Sequence, residues 1–292
     1  MLDQADELRK LASIDNKIKK RRVKRTAGPR VITVTSGKGG AGKSNFVVNT
    51  AIALQKMKKK VLILDTDMGM GNDHVLMGFL PKYSIHDVIS GNKKIDEILV
   101  TGPFGVKLLP GGTGISKIDE ITKSQRENFI EKLSLLGDLD YILLDTGAGI
   151  NKNVLGFIAC CSEVIVITTP EPTSLTDAYS LVKAINCLKL KNSVKIVVNK
   201  VMSIEEGRKT FNKFSGVVNK FLSIDVEYLG SMSEDKKLVR AVREQTPFLI
   251  SYPSSRISRE VNFIANKLNG VKTDNGENGI QNLFKKIFDV FS

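Results

Sequence analysis

A glycine-rich octapeptide, GKGGAGKS at residues 37–44, constrains the fold of this chain more than any other feature. An apolar, β-branched run at residues 30–35 precedes it, and a helix-like stretch at residues 45–57 follows it. The octapeptide satisfies the pattern G-x-x-x-x-G-K-[ST], which requires a strand before the loop and a helix after it. The sequence therefore predicts a strand–loop–helix unit whose loop binds phosphate.

The composition of this loop suits the polyphosphate of a nucleotide. Glycines let successive backbone N–H groups face one anion at a helix N-terminus, where the partial positive charge favours phosphate. We expect Lys43 to reach the β- and γ-phosphates and the Ser44 hydroxyl to bind Mg²⁺. The predicted phosphate-binding residues are Gly37, Lys38, Gly39, Gly40, Ala41, Gly42, Lys43, Ser44 and Asn45.

Seven short runs rich in valine, isoleucine and leucine recur along the chain, separated by stretches long enough for helices. This spacing is typical of parallel strands joined by crossover helices. We therefore predict an α/β fold with a doubly wound, mostly parallel sheet of about seven to eight strands and helices on both faces, flanked by N- and C-terminal helices. The runs lie at residues 30–35, 61–64, 106–109, 141–144, 164–168, 194–198 and 226–230.

Lys38 gives the loop a lysine that the general pattern does not require. With it, the segment resembles the KGGxGK[ST] box of the MinD/ParA group of dimeric P-loop ATPases. The resemblance implies ATP and Mg²⁺ as cofactors and a homodimer that encloses two nucleotides. It also implies that Lys38 reaches the nucleotide of the other subunit, whereas Lys43 binds the nucleotide of its own.

Two of the apolar runs end in aspartate, at Asp65 and Asp145, and Asp67 follows the first of them. The carboxyl ends of parallel strands border the crevice in which ligands bind. By resemblance to the same family, Asp65 and Asp145 hold magnesium together with Ser44. Asp67 then orients or deprotonates the attacking water, a role that phosphoryl transfer needs some residue to fill. The candidate catalytic residues are Lys38, Lys43 and Asp67.

Base recognition is implied by the family resemblance. Asn199, at a predicted strand end, corresponds to an asparagine that faces adenine, and Pro247 ends a segment that closes over the base. Glu171 matches a family position at the dimer interface, near the ribose of the partner's nucleotide. An NKxD guanine box is absent because Met202 stands where its aspartate would be.

Residues 1–29 are predicted to form an amphipathic helix and a basic linker, because apolar residues recur at positions 2, 5, 8 and 11 ahead of a lysine- and arginine-rich run. The first turns resemble the DQAxxLR element of the FlhG family (also called FleN or YlxH), MinD-like ATPases that govern flagellar number and placement. The resemblance implies that this is a partner-activating helix that contacts the GTPase FlhF, and that flagellar switch-complex proteins are further partners. The matching residues are Asp3, Gln4, Ala5, Leu8 and Arg9.

The C-terminal end is predicted to be a flexible tether at residues 269–278 followed by an amphipathic, membrane-targeting helix at residues 279–292. A helix this short needs a surface on which to fold, and bulky aromatics with a lysine pair suit an anionic bilayer. The alternatives are that the helix packs on its own domain or docks in a groove of a partner. The apolar stripe consists of Ile280, Leu283, Phe284, Ile287, Phe288 and Phe291.

The remaining core, residues 30–268, is predicted to be one ATPase domain. No run of eighteen apolar residues occurs and the first residues are charged, so we expect a cytoplasmic protein that associates reversibly with the inner face of the cell membrane. The formal net charge of +13 suits an anionic partner. A ParA-like DNA-segregation ATPase and a MinD-type division-site regulator are the alternatives, but the two terminal segments make DNA the less favoured partner.

Overall fold

The computed structural model describes residues 28–67, 71, 73–111, 121–270 and 279–291. The strands are β1 (Arg30–Thr35), β2 (Val61–Asp65), β3 (Val100–Thr101), β4 (Lys107–Pro110), β5 (Tyr141–Asp145), β6 (Glu163–Thr168), β7 (Ser193–Val201) and β8 (Asp225–Ser233). They form one sheet in the order β3-β4-β2-β5-β1-β6-β7-β8. Every pairing is parallel except that of β3 with β4.

Helices follow most of the strands, as a doubly wound sheet requires. The α-helices are α1 (Lys43–Lys56), α2 (Asp73–Leu76), α3 (Ile85–Ile89), α4 (Ile95–Ile98), α5 (Lys123–Lys132), α6 (Lys152–Cys160), α7 (Pro172–Cys187), α8 (Ile204–Phe221), α9 (Lys236–Arg243), α10 (Phe248–Ser251), α11 (Arg256–Gly270) and α12 (Ile280–Phe291). In the described part of the chain, 3₁₀ turns lie at Pro103–Gly105 and Leu133–Leu136.

The sheet separates two apolar cores. Side chains of a strand point alternately to opposite faces, so neighbouring β1 residues such as Val31 and Ile32 enter different cores. Helices α1 and α11 cover the core that contains Ile32. Helices α5, α6, α7 and α12 cover the core that contains Val31. The predicted α/β, doubly wound, mostly parallel sheet with helices on both faces is confirmed.

Strand β3 is the one strand of this sheet that the seven apolar runs in the sequence did not predict. Strand β3 has only two residues, Val100 and Thr101, and pairs antiparallel at the edge. Two residues are too few to display an alternating pattern, so this strand arises from the chain reversal before β4 rather than from its own sequence.

Helix α12 begins and ends close to where the apolar stripe predicts, but its apolar face is covered by the same chain. All six stripe residues are buried. Phe284 meets Phe129 of α5 edge-to-face, with ring centroids 5.0 Å apart, and Phe291 lies 5.2 Å from Phe157 of α6. The structure therefore shows the packing that the alternative describes, and contact of this face with a membrane stays a prediction.

Gly156 of α6 has no side chain, which lets the last turn of the C-terminal helix lie close against α6. A Cβ at Gly156 would lie 2.6 Å from Cζ of Phe291 and 2.9 Å from Cγ1 of Val290. Real Cβ atoms do not tolerate such contacts, so Gly156 is required for this packing. Helix α12 is thus fitted to the domain rather than resting loosely on it.

Among the described residues, no helix combines the length and apolar character needed to cross a bilayer. The proposed FlhF-contacting residues 3, 4, 5, 8 and 9 lie outside the described residues, as do most of the tether and residue 292.

Candidate functional site

The phosphate-binding loop connects β1 to α1, as the octapeptide predicts. Gly42 precedes the helix with φ of 96°, a left-handed conformation that favours glycine. A residue with a side chain would be strained in this conformation, and its Cβ would lie 2.2 Å from Nδ2 of Asn199. No side chain caps the N-terminus of α1. Its first N–H groups therefore remain available to an anion.

A cavity of about 770 Å³ opens beside this loop. Lys43 lines it and is almost fully buried, with Nζ donating to Oγ of Ser36 at 3.0 Å. Burial lowers the pKa of Lys43, against the opposing effect of the Asp145 and Asp67 carboxylates. The predicted residues that line the cavity are Gly39, Gly40, Gly42, Lys43, Ser44, Asn45 and Asp67. Those that do not line it are Gly37, Lys38, Ala41, Asp65, Asp145, Glu171, Asn199 and Pro247.

The two strand-end aspartates are direct neighbours in the sheet. Strands β2 and β5 pair in a register that sets Asp65 beside Asp145. Both are almost fully buried. Burial is the main reason that the pKa of Asp65 rises to about 7 and that of Asp145 to about 6; repulsion from Asp145 also raises the former. This pair is poised to become fully ionised when a cation binds.

The oxygens at these strand ends fit Mg²⁺. Oδ1 of Asp145 is buried without a hydrogen-bond partner among the described residues, and the Ser44 side chain hydrogen-bonds to the same carboxyl group. Hydroxyl and carboxylate oxygens are the ligands Mg²⁺ prefers, together with waters that it keeps. In the described part of the chain no three acidic, histidine or cysteine side chains form a direct ligand set. Ser44, Asp65 and Asp145 would therefore hold a hydrated ion.

Asp67 lies just after β2 and close to the loop that follows β5. Its backbone N–H donates to Oδ1 of Asp65 at 3.1 Å. Its own Oδ1 is 3.6 Å from where a Cβ of Gly147 would be, which brings it against the loop after β5. Since Asp67 also lines the cavity, its carboxylate can face a water in that cavity.

Lys38 and Glu171 lie at the rim rather than in the cavity. Nζ of Lys38 is 3.3 Å from Oε2 of Glu171 and 3.1 Å from Oγ1 of Thr173. The exposed fractions are 45% for Lys38 and 56% for Glu171, so both side chains are accessible to a second molecule.

The two residues expected near adenine make other contacts. Asn199 is buried and donates from Nδ2 to the carbonyl oxygen of Ala41 at 2.8 Å, behind the phosphate-binding loop. Pro247 caps the N-terminus of α10. Val242, which precedes Pro247 in the sequence, lines the cavity, whereas Pro247 does not. Contact of Asn199 or Pro247 with the base stays a prediction.

Residues that the sequence reasoning missed hold the strand ends together. Thr66 donates from Oγ1 to the carbonyl oxygen of Asp145 at 2.7 Å, and Thr146 donates to that of Val34 at 3.1 Å. Both threonines line the cavity. The signal was present as an Asp-Thr dipeptide at the end of both strands. Phe157 also lines the cavity, but as an apolar residue of a buried helix it had no distinguishing pattern.

Comparison with known proteins agrees with this geometry. The family profile described as "CobQ/CobB/MinD/ParA nucleotide binding domain" matches residues 32–248. Antiactivator FleN of Pseudomonas aeruginosa is 35% identical over 240 residues, which cover 82% of this chain and 86% of that protein. Flagellum site-determining protein YlxH of Helicobacter pylori is 32% identical over 293 residues, covering 98% of each.

A solved structure has the same fold. The septum site-determining protein MinD of Pyrococcus horikoshii, complexed with Mg-ADP, superposes with a TM-score of 0.66 at 25% identity, covering 83% of this chain and 96% of that one. The family match spans well over half of the chain, and the match to YlxH covers 98% of it. This chain therefore belongs to the MinD/ParA family of nucleotide-binding proteins and, within it, to the FlhG/FleN/YlxH type.

Proposed function

We propose that this chain is an ATP-hydrolysing switch that dimerises on ATP, associates with the membrane, and regulates flagellar number or placement by acting on the GTPase FlhF. The flagellar role is supported by the similarity to YlxH, a flagellum site-determining protein. The observation that carries the switch is the pair of lysines in one loop: Lys43 is buried in the cavity, whereas Lys38 is exposed at its rim.

The residues of the cavity divide the chemistry of ATP hydrolysis among them. The N–H groups of the loop and Lys43 bind the phosphates and oppose their charge. Mg²⁺, when bound by Ser44 with Asp65 and Asp145, supplies further neutralisation of the phosphate oxygens. Asp67 orients the attacking water and accepts its proton, because its carboxylate lies in the cavity beside Gly147.

The position of Lys38 supports dimerisation. Its present partners, Glu171 and Thr173, are exposed, so an ion pair with them is weak in water. A phosphate group enclosed between two subunits is a stronger partner in a drier environment. In the proposed dimer, Lys38 therefore exchanges Glu171 of its own chain for the nucleotide of the partner subunit.

The C-terminal helix connects this cavity to the membrane. Its apolar face cannot contact lipid and the domain at the same time. Phe157 lines the nucleotide cavity and also packs against Phe291, and its helix α6 begins directly after the loop at Gly147–Gly149. A γ-phosphate that repositions this loop would shift α6 and weaken the packing of α12, releasing it to the bilayer.

Magnitudes favour membrane binding by the dimer. Burial of six large apolar side chains would contribute a gross ~9–18 kcal/mol. Much of this is offset by helix ordering, by partial immersion and by the loss of the same contacts with the domain. One helix therefore binds weakly, but two helices in a dimer gain avidity of about 10²–10⁴.

The proposed partner-activating segment is tested with FlhF itself. A peptide of residues 1–25 is added to FlhF, and GTP turnover is measured beside that with a peptide carrying Leu8→Ala and Arg9→Ala. We expect stimulation by the first peptide only. Equal turnover with both peptides and with none would remove the support for an FlhF partner.

The membrane step is tested by flotation of the full chain with anionic liposomes. Samples contain Mg²⁺ with ADP or with a non-hydrolysable ATP analogue. The proposal predicts flotation with the analogue and little with ADP. Equal binding in both states would contradict nucleotide control of the helix.

A further inference from the structure

Asp73 is a fully buried carboxylate that the roles above do not use. It is the first residue of α2, and its exposed fraction is 0%. Among the residues that the structure describes, no N–H or hydroxyl group donates to either of its oxygens. A buried carboxylate in this state is destabilising unless a cation or a proton accompanies it. Asp73 therefore carries either a proton or a bound cation.

The neighbours of Asp73 are the two strand-end aspartates. Its carboxyl group is within hydrogen-bonding reach of that of Asp145, and its backbone N–H donates to the Asp65 carboxylate. Asp145 in turn hydrogen-bonds to Ser44, the last residue of the phosphate-binding octapeptide. Three carboxylates thus converge beneath the phosphate-binding loop.

We infer that Asp73 is a third carboxylate of the magnesium site, where it holds a water of the hydrated cation alongside Asp65 and Asp145. The inference rests on the proposed function, since it takes the ATP-bound Mg²⁺ as the ligand. Contact through water is consistent with the lack of a direct set of three ligands in the described residues and with the waters that Mg²⁺ retains. Asp73 is therefore a positioning residue.

This placement couples the cation to Asp67 through the Asp65 carboxylate. The Asp65 carboxylate accepts the N–H groups of both Asp67 and Asp73. A cation held by Asp65 and Asp73 would act on the same carboxylate that accepts the N–H group of Asp67, and so on the position of Asp67. Mg²⁺ binding and the position of Asp67 are thereby coupled.

The test separates magnesium binding from nucleotide binding in the full chain. Asp73→Asn keeps the size of the side chain and removes its charge. Binding of a fluorescent, non-hydrolysable ATP analogue is measured in EDTA and then as a function of added Mg²⁺. We expect the Mg²⁺ concentration for half-maximal effect to rise about 10- to 100-fold, whereas affinity in EDTA changes by less than about twofold. Asp96→Asn, an exposed carboxylate on α4, should leave both values unchanged.

Other outcomes decide against the inference. An unchanged Mg²⁺ requirement in Asp73→Asn would overturn it, and an equal loss of affinity in EDTA and in Mg²⁺ would assign Asp73 a structural role only. Thermal melting without Mg²⁺ verifies folding, and Asp73→Ala replaces the first variant if that one does not fold. If the wild-type chain shows no Mg²⁺-dependent nucleotide binding, the proposed function fails instead.

Discussion

Lys38 donates a hydrogen bond from Nζ to the Glu171 carboxylate of its own chain, at 3.3 Å. Thr173 accepts a second one at 3.1 Å. The lysine is thus held outside the cavity that Lys43 lines. Because both partners of the ion pair are exposed, this contact is easily exchanged for another anion. A single protomer therefore presents Lys38 in a form available to a second subunit.

Replacing Lys38 by Ala is expected to prevent nucleotide-dependent dimerisation while nucleotide binding persists, because Lys43 and the loop N–H groups remain. Light scattering with a non-hydrolysable ATP analogue measures the first quantity and fluorescence titration the second. Lys183→Ala removes an exposed lysine from α7 and serves as the control. Dimers of Lys38→Ala as stable as those of wild type would exclude a role in the interface.

Replacing Asp67 by Ala should lower ATP turnover by about 10²–10⁴-fold, the usual contribution of a general base. ATP-bound dimers of this variant should persist, since the step that ends them is blocked. Phosphate release and light scattering after ATP addition measure the two effects. Asp96→Ala provides the matched loss of an exposed carboxylate. Normal turnover in Asp67→Ala would assign water activation to another residue.

Replacing Gly156 by Leu should detach the C-terminal helix, because even a Cβ there would lie 2.6 Å from Phe291. The variant is expected to bind anionic liposomes without ATP. Gly216→Leu is a suitable control, since a Cβ at Gly216 meets nothing within 4 Å. Adding Phe284→Asp to Gly156→Leu should abolish the binding, which would identify α12 as the membrane contact. Failure of Gly156→Leu to bind more than wild type would argue against release of the helix.

The Arg30–Glu163 pair at the other end of the sheet gives stability a defined pH dependence. Arg30 donates from Nε and Nη2 to the Glu163 carboxylate at 2.7 and 2.9 Å, and Lys195 donates at 2.8 Å. Burial opposes ionisation of Glu163, but these hydrogen bonds and charges outweigh it and lower its pKa below the ordinary 4.5. The associated stability is complete above that value and is lost as pH falls through the lowered pKa.

Glu163→Gln should therefore lower the free energy of unfolding at pH 7 by about 3 kcal/mol, because Arg30 is left buried without its charged partner. The difference from wild type should shrink as the pH falls below about 4.5. Denaturant titrations at several pH values measure it. Glu127→Gln, at an exposed position on α5, is the control. A difference that does not depend on pH would contradict this assignment.

The proximity of Asp65 and Asp145 was predictable from sequence because both residues end β-strands. Asp65 and Asp145 needed only a parallel register to become neighbours. Asn199 was harder to predict, since its bond to Ala41 depends on how the β7 end packs behind the loop. An amphipathic stripe likewise specifies that α12 needs an apolar surface but not which one. Asp73 carried no signal, because a buried carboxylate and a polar turn residue look the same in a sequence.

The central claim is that ATP joins two copies of this chain. Its most direct test is the mass of the wild-type protein measured by light scattering, with Mg²⁺ and a saturating non-hydrolysable ATP analogue, beside a sample with ADP. We predict the mass of two chains with the analogue and of one chain with ADP. A single chain in both samples, with nucleotide binding verified, would contradict the account.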